Sequence, residues 1–358
     1  MSTARILEML VEAVGSKQLM GAAVQVTRKG ETEDPILVGQ RRLDDESMRV
    51  ERNTIFLVAS ITKPIVCAAV MKLVEDGLAI LDDPVTKYVP EFGAKGKEGV
   101  LVRHLLTHTS GLPDQIPENR AYREVKRPLS DFVIRICELP LTFAPGTQVS
   151  YQSSGIAMLG EICERVTGTS LPDYLNETIF DPIGLQDTSL GIQSRDLRES
   201  DVVMAGEGLT HGGSGTGFDW NSDYWRGFGA PWGGMLTTIE EMTRLMLLFR
   251  NGGGVGDKRV LSESSVSTML EDHVTRMPGM TSEGQKGQRW GLGWRLSGPQ
   301  VDVFGDLVSD YTFGHGGATG TLAWCDPVKD VICVIFTNDP DAAKRLQGRI
   351  SNAVMTST

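Results

Sequence analysis

Residues 56–77 read FLVASITKPIVCAAVMKLVEDG. The run begins as a short apolar strand or approach segment and becomes helical in spacing after Ser60, ending at Gly77. Ser60 and Lys63 lie three positions apart, nearly one helical turn, so their side chains share a face. A lysine there can accept the serine proton if burial or a neighbouring cation lowers its pKa. The helix start favours negative charge beside the serine, and Pro64 falls in the first turn, where proline is tolerated. Alone the pair is weak evidence, because a chain of this length holds about one S-x-x-K by chance. A serine N-cap followed by a solvated lysine spells the same letters.

Outward from this stretch, the chain has strand patterns at both ends. GAAVQVTRKG (21–30) and DPILVGQRR (34–42) read as two strands joined by a polar turn. RWGLGWRL, YTFGHGG, TGTLAWCDP and DVICVIFTND, all beyond residue 288, read as further strands before a terminal helix, AAKRLQGRISNAVM. Between them lie short helical pieces punctuated by Pro and Gly, then a clear amphipathic helix in TTIEEMTRLMLLFRNGG. The fold class expected is α+β, an antiparallel sheet flanked by helices with a mostly helical insertion. Residues 1–80 and 289–358 would form the sheet domain, and 81–288 the inserted helical domain with the active-site loops.

Two distant segments change the odds for Ser60. Tyr151 stands in PGTQVSYQSSGIAMLG, ahead of an amphipathic helix, where a phenol near a lysine can relay a proton. GHGGATGTLAW places His315 on a strand followed by Gly316, Gly317 and Ala318. Residues with so little side chain let a substrate approach the strand edge, whose N–H groups can face a developing oxyanion.

Ser60-Ile-Thr-Lys63, Tyr151-Gln-Ser153 and His315-Gly316-Gly317, in this order and spacing, resemble the three motifs of the penicillin-recognising serine hydrolases. The branch is that of class C β-lactamases, D,D-peptidases, D-aminopeptidases and family VIII carboxylesterases. LVEDGLAILDDPVTKYVPEF, VRHLLTHTSGL, APWGGMLTTIEEMTRLM and WGLGW are similar to it too, over about residues 20–340. The resemblance implies a β-lactamase/D,D-peptidase-like fold and acylation of Ser60, with Lys63 and Tyr151 sharing the proton transfers. It also implies an oxyanion hole from the backbone N–H groups of Ser60 and Ala318. No cofactor and no metal is called for.

Two departures bear on substrate. Class C β-lactamases carry Asn where this chain has Ser153, and Lys where it has His315. Losing that amide removes a partner for the acylamide side chain of a β-lactam, and a neutral histidine is a poorer carboxylate partner than lysine. The expected activity is a carboxylesterase on small or medium acyl esters with little β-lactamase activity. The alternatives are a D-amino-acid peptidase or weak β-lactamase, acyl transfer to an alcohol or amine, and a non-enzymatic ligand-binding protein of the same fold. For Ser153 a site contact and a local cap both remain open.

The remaining signals are mostly structural. With 35 basic against 46 acidic residues, the formal charge of −11 argues against nucleic acid or an anionic membrane as partner. The expected partner is a small-molecule ester or amide. Cys67, Cys137, Cys163, Cys325 and Cys333 are scattered through apolar stretches and read as buried free thiols. The N-terminus lacks a secretory pattern and no apolar run reaches about 18 residues, so a cytoplasmic location is expected. His104 and His108 have the spacing of zinc ligands on a helix but lack H-E-x-x-H and a third ligand, so they are read as bonded to nearby backbone. In GGSGTGFDWNSDYWRGFGAPWGG (212–234), Trp225 and Trp232 are candidate walls of an acyl pocket. Asp44-Asp45 and Asp82-Asp83 sit near polar turns as solvated pairs, and no G-x-S-x-G elbow occurs.

Overall fold

The computed structural model describes residues 2–42, 45–192, 220–298 and 303–356. The N-terminal helix α1 (Ser2–Gly15) leads into strands β1 (Gly21–Arg28), β2 (Glu31–Thr32) and β3 (Ile36–Gly39). After β4 (Phe56–Leu57), a 3-10 turn over Ala59–Ile61 opens into α2 (Thr62–Glu75). The helices that frame the cleft follow as α3 (Val102–Leu106), α4 (Asn119–Glu124), α5 (Leu129–Glu138), α6 (Ser153–Thr167) and α7 (Asp223–Phe228). Next come β5 (Met235–Thr237) and α8 (Ile239–Arg250). The chain returns to strands with β6 (Arg289–Trp290), β7 (Arg295–Leu296), β8 (Phe313–Gly317), β9 (Thr321–Asp326) and β10 (Val331–Thr337). Helix α9 (Pro340–Met355) closes it.

The main sheet is antiparallel and eight-stranded, in the order β2-β1-β10-β9-β8-β7-β6, with β3 also paired to β1. The first long strand therefore lies beside the last, with Val24 opposite Ile335. Both are buried along nearly their whole length, because helices cover both faces. On one face Ile6 and Leu10 of α1 and Ile350 of α9 pack with Val24, Trp324 and Ile335. The Trp324 indole, wholly buried, donates to Ser351 Oγ at 3.0 Å, which satisfies its one polar atom. On the other face α8 packs against β1, β9 and β10. The Thr238 hydroxyl caps its start, accepting from the Glu241 N–H at 3.3 Å.

Helix α2 is buried on all sides from Thr62 to Met71, so it is apolar around its whole circumference. Trimming Ile65 or Leu73 there to alanine costs about 2–5 kcal/mol. All five cysteines are buried free thiols, as their apolar settings predict. Among the described residues no helix is long and apolar enough to cross a membrane.

One expected strand is broken. RWGLGWRL forms a tight hairpin of β6 and β7, with Gly293 at φ +85° between them. A Cβ on Gly293 would fall 2.7 Å from Cys67 Sγ, so the hairpin tip can press on α2 only because that atom is missing.

Candidate active site

The three separated motifs meet at the N-terminal end of α2. Strand β4 pairs with β5, Phe56 opposite Thr237, and brings the chain up to Ala59. Ala59 is held at φ +48°, a left-handed conformation that costs a residue with a Cβ about 1–2 kcal/mol. Ser60 follows, lining the cleft, and Lys63 lies one turn deeper. Lys63 is only 1% exposed, with Nζ 3.0 Å from Ser60 Oγ and donating to the Trp232 carbonyl at 2.7 Å. Burial brings its pKa down to about 7, against the opposing pull of the Asp114 carboxylate.

Tyr151 arrives just before α6. Its ring centroid lies 4.7 Å from Lys63 Nζ and its phenol reaches Ser60. Burial pushes the phenol pKa upward, more than the hydrogen bond with Ser60 pulls it down. On β8, His315 is buried, and its Nδ1 lies 2.7 Å from the Gly316 carbonyl. A carbonyl only accepts, so Nδ1 carries the proton. Burial and the Lys63 charge hold the His315 pKa down at about 3, so the imidazole is neutral at ordinary pH.

Gly317 has a packing role. A Cβ there would stand 2.2 Å from the Val58 carbonyl oxygen, so the bare backbone lets β8 close on the turn that carries Ser60. Gly316 has room for a Cβ, with nothing nearer than 3.8 Å. Ser153 is the first residue of α6, and the N-cap position before it is held by Gln152. The Ser153 backbone N–H donates to Asp114 Oδ1 at 2.7 Å, and its side chain lines the cleft.

The cleft has a volume of about 420 Å³. Ser60, Tyr151, Ser153 and Ala318 form its floor, while Trp220, Trp225 and Trp232 supply apolar wall. Both predicted tryptophans are thus placed at the site; residues 212–219 of the same stretch lie outside the described residues. Among the described residues no group of three His, Cys, Asp or Glu side chains could hold a metal.

A family model described as Beta-lactamase matches residues 6–354. The chain belongs to the beta-lactamase family. A curated relative named "Putative D-alanyl-D-alanine carboxypeptidase", from Escherichia coli (strain K12), is 28% identical over 326 residues, 83% of this chain and 72% of its own. Among solved structures, EstCE1, described as a hydrolase with promiscuous acyltransferase activity, matches with a TM-score of 0.80 at 22% identity, over 99% of this chain and 98% of its own. A family VIII carboxylesterase matches with a TM-score of 0.78 at 21% identity, over 100% and 98%. At such identities these two structures establish the β-lactamase-like fold. The family match places the protein in the serine hydrolase superfamily.

Several residues of this beta-lactamase-family site had no signal in the sequence. Asp114 and Arg123 both line the cleft, and the Arg123 guanidinium stacks 4.4 Å from the Trp225 ring centroid. The sequence predicts His108 to bond nearby backbone. Its Nδ1 does accept the Gln152 N–H, at 3.3 Å, yet its ring also packs 4.7 Å from Tyr151 and 4.5 Å from Trp290. His104 accepts from the Leu101 N–H at 3.1 Å, away from the cleft floor.

Proposed function

We propose that the protein is a carboxylesterase-like serine hydrolase that acts on small or medium acyl esters through an acyl-enzyme on Ser60. The observation that carries this is Lys63, buried 3.0 Å from Ser60 Oγ with a pKa near 7. At neutral pH a large fraction of that amine is unprotonated, which is the state a general base needs.

Ser60 Oγ attacks the ester carbonyl carbon and its proton passes to Lys63 Nζ. The raised pKa of Tyr151 keeps the phenol protonated, so it serves as a shuttle between Ser60, Lys63 and the leaving group. The negative oxygen of the tetrahedral intermediate accepts from the Ser60 and Ala318 N–H groups. Collapse breaks the bond to the alcohol, which leaves with the proton held by Lys63 and Tyr151. Water then attacks the acyl-enzyme, gives its proton to the same pair, and releases the acid with Ser60 restored.

Esters are favoured because His315 stays neutral where related β-lactamases place a lysine, and Ser153 offers a hydroxyl where they place an amide. The curated relative's name supports a second reading, D-amino-acid peptidase activity. Acyl transfer to an alcohol or amine is a third, supported by the description of EstCE1. A panel of p-nitrophenyl esters of graded length, a chromogenic cephalosporin and D-alanyl peptides, with Ser60→Ala as control, tests the proposal. The esters are expected to lead in kcat/KM. A tenfold lead for the peptides, about 1.4 kcal/mol of transition-state discrimination, would replace the ester reading with the peptidase one.

A further inference from the structure

Three consecutive carbonyls lead into Ser60, and each is held by a buried threonine hydroxyl. Thr319 donates to the Leu57 carbonyl at 2.6 Å, Thr321 to the Val58 carbonyl at 2.9 Å, and Thr62 to the Ala59 carbonyl at 2.6 Å. All three threonines are at most 3% exposed. Two of them belong to the hairpin between β8 and β9, which also carries Ala318. The third opens α2 and accepts from the Met235 N–H at 3.0 Å, which ties in the segment on the other side of the turn.

Peptide planarity gives these bonds a consequence at the site. In a trans peptide the C=O of one residue and the N–H of the next point in opposite directions. Among the described residues there are no cis peptide bonds. Pulling the Ala59 carbonyl toward Thr62 therefore aims the Ser60 N–H the other way. The same holds across the cleft, where the Gly317 carbonyl accepts from the Gly320 N–H at 3.1 Å and so orients the N–H of Ala318. Ala59 sits at φ +48°, a conformation that persists only where the surroundings over-determine it. The hydroxyl bonds, and the absence of a Cβ on Gly317, supply those surroundings.

We propose that Thr62, Thr319 and Thr321 are positioning residues that preset the direction and spacing of the two oxyanion N–H groups, by bolting the Ser60 turn to the Ala318 hairpin. The proposal rests on the reading of Ser60 as nucleophile and of the Ser60 and Ala318 N–H groups as donors. Preset donors need no reorganisation when charge develops, and a misaimed donor is nearly a lost one. The effect belongs to the transition state, so it appears in kcat more than in KM.

The test uses Thr62→Val, Thr319→Val and Thr321→Val, each with its Thr→Ser counterpart. Ser60 is first titrated to completion with a fluorophosphonate and counted by intact mass, so that rates are expressed per competent site. The valine variants are expected to lose about ten- to a hundredfold in kcat per site, with KM within about threefold, as for weakening one oxyanion donor. The serine variants, which keep the hydroxyl, are expected to return to within about threefold of wild type. Thr62→Val also strips the Met235 N–H of its acceptor; if it does not fold, Thr319→Val and Thr321→Val decide. Unchanged kcat per site in those two overturns the proposal, and so does a loss that serine does not restore, since that is packing by the methyl group. Failure of the wild type to take a phosphonyl group on Ser60 overturns the underlying reading instead, before any threonine is changed.

Discussion

Among the described residues two lysines are buried, and they live in different surroundings. Lys97, 0% exposed, donates to three carbonyls, those of Ala94 at 2.5 Å, Cys137 at 2.8 Å and Leu139 at 2.6 Å. Two of these belong to the C-terminal end of α5, where the helix presents unsatisfied carbonyls and partial negative charge. Each ammonium proton has an acceptor, so the charge is compensated where it stands. Lys63 is enclosed more completely by the protein, and has one carbonyl, that of Trp232, and the hydroxyl of Ser60. Burial lowers both pKa values. The shift is larger at Lys63, which the protein encloses on every side, and there the value reaches about 7. Deep enclosure with a lowered pKa suits Lys63 to the proposed role of base, and three carbonyl acceptors suit Lys97 to cap the end of α5.

The largest expected effect separates the two roles in activity. Lys63→Met should lower kcat/KM by about 10³-fold, in the middle of the usual range for a general base. Lys97→Met should leave the rate per titrated Ser60 within about threefold of wild type. Comparable losses in both, measured on one ester after titration, would break the distinction.

The second separates them in stability. Lys97→Met orphans carbonyls that Lys97 satisfies inside the protein, and should cost about 3 kcal/mol in urea unfolding.

The third uses pH. Between about pH 7, the folded value of Lys63, and 10.5, its ordinary value, the unfolded chain holds a proton that the folded chain has released. Stability must therefore rise with pH across that window. From pH 7 to 9 the wild type should gain about 2 kcal/mol relative to Lys63→Met, which has no such group. The contribution of Lys97 is present in both proteins and cancels. A constant difference between the two unfolding free energies would contradict the lowered pKa.

The smallest effect tests whether the wall is separate from the base. Trp225→Leu keeps the cleft wall apolar but widens the cleft on one side, so longer acyl chains should gain about tenfold over acetate in kcat/KM. The pH profile should stay where it is. A shifted profile would mean that Trp225 acts on the charges, through Arg123 stacked on it.

What was legible in the sequence follows the same division. That Ser60, Lys63, Tyr151 and the His315-Gly-Gly strand come together was readable because the roles proposed for them need particular side chains at a particular spacing. The strands that pair β1 with β10 were readable because burial on both faces leaves continuous apolar runs. The Trp232 carbonyl, which holds Lys63, has no signature, since any residue carries one. Asp114 was missed because its part in the site depends on approach to α6 from a distant loop, where it accepts from Ser153. His108 was legible as a backbone-bonded histidine, but its packing on Tyr151 comes from a fold that brings residues 108, 151 and 290 together. RWGLGWRL read as a strand because periodicity does not show that a glycine must turn to clear Cys67. Lys97 resembled any surface lysine, since its three acceptors are all backbone atoms.

The acylation rate of Ser60 as a function of pH, followed by the single-turnover burst on a slow p-nitrophenyl ester from pH 5 to 9, tests Lys63 as the base most directly. A neutral Lys63 as base predicts a rate that rises with pH and reaches half its plateau near 7, with Lys63→Met lacking that limb. His315, with its pKa held near 3, adds no limb in this range. A burst rate that is flat from pH 5 to 9, or a limb that survives in Lys63→Met, would contradict the assignment of Lys63 as the base.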